Sequence, residues 1–221
     1  MTLAPDAVIF DLDGTLVDSA PDLHASMNAL LARHGADPLD LATLRSFIGN
    51  GVPTLVRRAF AARALPCEDE SHRAAVADFH ALYDADPAGR SLIYPGVTDL
   101  LAALSGRDVP MGVCTNKYEN GAALVLETLG LARHFAAVVG GDTLPVLKPD
   151  PAPLRLCAER LGVPPERLLY VGDSEVDAET AAAAAVPFAL FTGGYRRSPA
   201  EAIPAMLRFD TFAALSAHLN P

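Results

Sequence analysis

A chain of 221 residues, 51% of them hydrophobic, is long and apolar enough to bury one large core, alone or with a smaller insert. Its formal net charge of −10 argues against a nucleic-acid groove, and no apolar run approaches the roughly 20 residues of a membrane span. Cys67, Cys114 and Cys157 are odd in number and far apart, which points to reduced thiols; with no signal-peptide pattern at the start, a cytoplasmic protein is expected.

In chain order, the first strand is expected at 7–10, where "AVIF" runs straight into "DLDGTLVDS". No convincing strand follows between Ala20 and about Tyr94. Apolar residues there recur at helical spacing, at Leu23, Met27, Leu30 and Leu31, then over 55–60 and 76–83. The turn-like "YPGV" ends this stretch. Beyond it, short apolar strands are expected at 110–114, 137–140, 168–171 and 188–191. Helices are expected at 97–105, 120–129, 152–161 and 175–184. Strands apolar throughout and separated by helices indicate an α/β fold, a Rossmann-like parallel sheet with helices on both faces. The domain reading is an α/β core of 1–17 and 91–221, interrupted after its first strand by an α-helical cap of 18–90.

Ligands of such a sheet bind beyond the carboxyl ends of its strands. The residues at those ends are Asp11 and Asp13, then Thr115 in "CTNK", Lys148 in "LKPDP", and Asp173 and Asp177 in "GDSEVD". Carboxylates crowded together repel, so a cation is required. All-oxygen ligands favour a hard ion, and Mg²⁺ suits one or two carboxylates completed by water and substrate phosphate. If 11–13 stays extended, Asp11 and Asp13 face one side, so that one can attack while the other moves protons. An acidic chain that handles a phosphate needs local positive charge, from a metal, a Lys or backbone N–H groups. Only Lys117 and Lys148 stand against fifteen arginines, and a Lys kept at 148 suggests a compact charge is wanted there. The sequence does not decide whether Lys117 is a surface charge. Asp-Gly alone is also a common turn signal. An EF-hand fails because Gly14 falls at the fourth loop position and Asp22 at the twelfth.

"DLDGTLVDS", the Thr after the second strand, Lys148 and "GDSEVD" resemble the four motifs of the haloacid dehalogenase superfamily, over essentially the whole chain. "FIGNGVPTLVRRAF", "TNKYEN" and "GGDTLPVLKPDPAPL" are similar to its phosphoglycolate phosphatase branch. The resemblance implies a Mg²⁺-dependent hydrolase of a small phosphorylated metabolite, monomeric or homodimeric. In it Asp11 is the nucleophile, and Asp13 the acid and base whose carbonyl also reaches the metal. Thr115 and the Asn116 N–H hold phosphoryl oxygens. Lys148 neutralises charge and holds Asp11. Asp173 ligates the metal, and Asp177 is either a ligand or a partner of the metal's waters.

Other members of the superfamily fit less well. Dehalogenases lack the second acid that Asp13 supplies. Phosphonatase-type chemistry needs a cap Lys, and 20–94 contains none. β-Phosphoglucomutases carry a His where this chain has Leu23, with His24 about 100° further round a helix. A catalytically silent binding module would ordinarily lack a reacting group, and all are present here. Arg45, Arg57, Arg58 and Arg196 are candidates for a substrate carboxylate, and "GNG" (49–51) either loops between cap helices or shapes the substrate pocket. Where the branch leads one to expect Ala-Gly after the Ala-rich helix, this chain has Ala185-Val186, so a different helix end is expected.

Overall fold

A computed structural model describes residues 4–219. β1 (Ala7–Phe10) is buried at every position. β2 (Val17–Asp18) leads to four helices: α1 (Ala20–Arg33), α2 (Leu41–Arg45), α3 (Gly51–Ala62) and α4 (Asp69–Asp84). β3 (Leu92–Ile93), α5 (Val97–Ser105) and β4 (Met111–Cys114) bring the chain back to the sheet. It continues through α6 (Glu119–Thr128), β5 (Ala137–Val139), α7 (Ala152–Leu161), β6 (Leu168–Gly172) and α8 (Glu175–Ala184). β7 (Phe188–Phe191), β8 (Leu207–Phe209) and α9 (Phe212–Leu219) complete it. No helix among the described residues is long and apolar enough to cross a membrane.

The main sheet is parallel, in the order β5-β4-β1-β6-β7-β8. In β1, Val8 pairs with Met111 of β4 on one side and with Leu169 of β6 on the other. The chain builds outward from β1 through β4 to β5, then crosses back and builds the other way. Such a reversal leaves a crevice at the carboxyl ends of the central strands. Alternation along β1 divides the core: Val8 and Phe10 belong to the apolar cluster that takes in α1, α3, α4, α5 and α6, whereas Ala7 and Ile9 belong to the one that takes in α7 and α8.

Three local features differ from the sequence expectation. β3 falls inside the stretch expected to hold no strand and pairs antiparallel with β2, just ahead of that stretch, joining the chain's two crossings between sheet and helices. Two residues are too few to show a period. β8 and α9 add a sixth strand and a last helix, because a three-residue edge strand carries little pattern of its own. The end of α8 is the third difference. Ala185 takes the left-handed conformation (φ 60°, ψ 37°) and the Val186 N–H bonds Ala181 O at 2.9 Å, so the helix ends as it would with glycine.

Candidate active site

The first acid is placed by the end of β1. The Asp11 N–H still bonds Val171 O of β6 at 2.8 Å, and then the chain turns: Leu12 O accepts the N–H groups of Thr15, Leu16 and Val17. Leu12 is fully buried, while Asp11 and Asp13 on either side of it line one cavity. Gly14 makes the turn possible. Its φ is +89°, and a Cβ there would sit 2.7 Å from Asp173 Oδ2 and 2.8 Å from the Tyr195 ring.

Lys148 reaches the same place from the loop after β5. Its N–H bonds Asn116 Oδ1 at 2.9 Å, and Asn116 Nδ2 donates back to Lys148 O at 3.0 Å. The buried ammonium donates to Asp177 Oδ1 at 2.7 Å, Tyr170 OH at 2.8 Å and Cys114 O at 3.1 Å. Asp11 Oδ1 lies 2.9 Å away as an ion-pair partner, too bent for a hydrogen bond. Burial alone would lower the Lys148 pKa; Asp11 and Asp177 outweigh it and raise it.

Asp173 and Asp177 stand where β6 gives way to α8. Asp177 Oδ2 caps the helix in a reciprocal box with Ser174, accepting its Oγ at 2.6 Å and its N–H at 3.1 Å, and takes the Asp173 N–H at 3.2 Å. Oδ1 takes Lys148 and the Tyr170 hydroxyl, at 2.8 Å for the latter. Gly172 allows this approach, since a Cβ there would lie 2.5 Å from Asp177. Burial opposes the Asp177 charge, and chiefly Lys148 holds its pKa below the ordinary carboxylate value. Among the described residues Asp173 has no cation of its own. It accepts Thr15 Oγ1 at 3.0 Å and the Tyr195 N–H at 2.5 Å, and burial, then Asp177 and Asp11, push its pKa up. Asp11 is likewise pushed up to about 7 by burial, against the pull of Lys148.

One oxygen from each of Asp11, Asp173 and Asp177 lies within 4.8 Å of the other two. Three buried carboxylates against one ammonium leave excess negative charge in a low dielectric. The donors are all oxygen, and Asp11 Oδ1 has no hydrogen bond. The group therefore fits a hard divalent cation. Asp177 already accepts five hydrogen bonds, against one on each oxygen of Asp173 and none on Asp11 Oδ1, so among the described residues Asp11 and Asp173 hold the spare capacity.

Asp13 stands apart from these three. Ser19 Oγ donates to its Oδ1 at 2.5 Å, and Lys117 Nζ lies 3.3 and 3.4 Å from its two oxygens. Lys117 is buried, 5% exposed, so the sequence's open question about it closes: it is not a surface charge. Its ammonium lies 4.2 Å from the ring centre of Tyr83 in α4, and its N–H donates to Thr115 Oγ1 at 3.2 Å. Asn116 Nδ2 also bonds Gly49 O at 3.0 Å, and Gly49 and Gly51 line the cavity, so the "GNG" loop does face the sheet.

The four candidate arginines do not line the cavity. Arg45 pairs with Asp18 at 3.0 Å, Arg58 donates to Phe47 O and Asn50 Oδ1, Arg196 to Thr192 O, and Arg57 is exposed. Leu23 lines it, whereas His24 Nε2 is engaged 2.7 Å from Leu39 O. Thr15, Ser19, Tyr83, Tyr170 and Tyr195 were not singled out from sequence. Of the residues missed or left open, only Lys117 carried a signal, its rarity.

The model of the haloacid dehalogenase-like hydrolases matches residues 5–185, with the acids and the lysine at the strand ends within the match. The chain belongs to that family. As a member, it is 48% identical over 215 residues to a phosphoglycolate phosphatase of Rhodospirillum rubrum, covering 96% of this chain and 89% of that one. Among solved structures, a predicted phosphoglycolate phosphatase from Haemophilus somnus superposes with a TM-score of 0.90 at 30% identity, covering 95% of this chain and 96% of the other. CbbY from Rhodobacter sphaeroides, solved in complex with phosphate, gives a TM-score of 0.81 at 25% identity, covering 98% and 100%.

Proposed function

We propose that this chain is a Mg²⁺-dependent phosphomonoester hydrolase that works through an aspartyl-phosphate, with 2-phosphoglycolate as its substrate. One observation carries the chemistry: a buried Asp11, 2.9 Å from the Lys148 ammonium and grouped with Asp173, shares a cavity with a second acid, Asp13. The substrate follows from the similarity to phosphoglycolate phosphatases, of Rhodospirillum rubrum among others.

In the first half-reaction an Asp11 oxygen attacks phosphorus, the P–O ester bond breaks, and Asp13 gives its proton to the departing glycolate oxygen. In the second, Asp13 takes a proton from water, the water oxygen attacks phosphorus, and the P–O bond to Asp11 breaks to release phosphate. Lys148 holds Asp11 in place and offsets negative charge on the transferring group. Thr115 and the Asn116 N–H bind phosphoryl oxygens. Asp11, Asp173 and the Asp13 carbonyl would hold Mg²⁺, which when bound supplies charge neutralisation at the phosphate. Asp177 holds Lys148 in place, and would serve a bound metal as a partner of its waters, because its own oxygens already accept five hydrogen bonds.

The division into a core of 1–17 and 91–221 and a cap of 18–90 belongs to the same reading. The β2–β3 pair is then the hinge, and cap closure excludes bulk water during transfer. A cytoplasmic monomer or homodimer, with no nucleic-acid or membrane partner, completes it.

The test is hydrolysis of p-nitrophenyl phosphate with and without Mg²⁺, followed by a panel of phosphorylated metabolites at equal concentration. Mg²⁺-dependent turnover with 2-phosphoglycolate leading the panel is expected. No turnover means a silent module, and interconversion of sugar phosphates means a mutase. The engagement of His24 by Leu39 speaks against the mutase.

A further inference from the structure

We propose that Lys117 binds the carboxylate of the substrate and so sets the enzyme's preference for short acidic leaving groups. This rests on the phosphatase reading above and deepens it.

Three cations line the cavity: Lys117, Lys148 and Arg197. Lys148 is fully engaged by Asp11, Asp177, Tyr170 and Cys114. Arg197 is exposed at the rim and tied to Asn50 Oδ1 at 3.2 Å. Lys117 is different. It is buried, and among the described residues Asp13 is its only carboxylate, at 3.3 Å. Its ammonium also lies 4.2 Å from the ring centre of Tyr83, whose own buried hydroxyl has no hydrogen-bond partner among the described residues. A buried ammonium with one half-buried counter-ion and an aromatic floor has room for a second anion.

The position of Lys117 suits one kind of anion. Asp13 must come within hydrogen-bond reach of the leaving oxygen to protonate it. Lys117, in contact with both Asp13 oxygens, therefore stands beside that oxygen too. In 2-phosphoglycolate the carboxylate carbon is two bonds from the ester oxygen, so its charge falls next to the ammonium. A sugar phosphate presents a neutral carbon or hydroxyl there, and leaves the ammonium without a second anion. The compact ammonium of a Lys, rather than the wide fork of an Arg, suits contact with a single carboxylate oxygen.

The test compares kcat/KM for 2-phosphoglycolate with that for ethyl phosphate, in which a methyl replaces the carboxylate. Both esters need Asp13, so the ratio cancels any effect of Lys117 that runs through Asp13 alone. Wild type should favour 2-phosphoglycolate, and K117M should lower the ratio about 10–100-fold, mainly through KM, as expected for a lost charged hydrogen bond. K117Q, which keeps a donor for Asp13 without the charge, should do the same and serves if K117M does not fold. An unchanged ratio in a folded variant overturns the assignment. Wild type that hydrolyses both esters equally overturns the choice of substrate, and Lys117's role with it, while leaving the phosphatase standing. Wild type that hydrolyses neither overturns the phosphatase itself.

Discussion

Lys148 Nζ lies 2.7 Å from Asp177 Oδ1, and both side chains are buried, with 2% and 1% of their surface exposed. Asp177 is also the helix-capping acid of α8. One residue thus closes a helix and fixes the ammonium that faces Asp11. The start of α8 and the site are a single unit.

Asp177→Ala therefore removes a cap and leaves Lys148 buried with one carboxylate fewer. A loss of about 3–5 kcal/mol is expected, the usual result of deleting one partner of a buried pair. Urea unfolding followed by circular dichroism measures it. A loss below about 1 kcal/mol, the range of an exposed pair, would show that the ammonium finds another partner.

Asp11→Asn should abolish turnover, by more than about 10³-fold, because an amide is a poor nucleophile. Its melting curve should stay cooperative, since Asn keeps the size of the side chain. Near-normal hydrolysis by this variant would remove Asp11 from the reaction. Asp13→Asn should slow both half-reactions, and a burst of alcohol followed by stalled phosphate release would deny it the acid role.

Mg²⁺ should stabilise the protein, and more so at higher pH. Asp11 titrates at about 7 in the folded chain, above its ordinary value of 3.8, so the folded state holds a proton that the unfolded state gives up between these values. Its contribution to metal-free stability is full below pH 3.8 and lost as pH climbs through 7. A cation competes with that proton. The Mg²⁺-induced rise in Tm should thus be larger at pH 8 than at pH 5, and should vanish in Asp173→Asn. An equal rise in that variant would place the ion elsewhere.

Ala185→Gly should stabilise the fold by about 1 kcal/mol, because Ala185 sits at φ 60°, where a Cβ is strained. Activity should not change. A destabilised variant would mean that the methyl group's packing outweighs the backbone strain.

The parallel sheet was legible from its apolar runs and the acids from their places at the ends of those runs, where spacing in sequence already says what faces the crevice; Lys148, in the loop after β5, was legible as one of two lysines. Asp11 and Asp13 flank a buried Leu12 as alternation requires. Thr15, Tyr170 and Tyr195 were not, because their partners at the site, Asp173 and Asp177, come from other elements. Lys117 was ambiguous for the same reason: its burial depends on Tyr83, on a helix in the inserted segment. The pair β2–β3 and strand β8 are too short for periodicity. The end of α8 was misread because Ala can be forced into a left-handed turn when the 181–186 hydrogen bond rewards it.

The order of the sheet bears on how the protein is made. Of the strands of the sheet, β1 is made first and occupies the middle, yet Val8 finds one neighbour at Met111 and the other at Leu169. Until the first is synthesised, a fully apolar ribbon has both edges open, and until the second, one edge. Helices α1 to α4 can form early from local contacts, but the sheet itself must wait until β6 is made. The segment that ends in Asp11 is the one most exposed to misassociation during synthesis. Ribosome-bound chains stalled before residue 168 should therefore resist aggregation only while a chaperone covers that first strand.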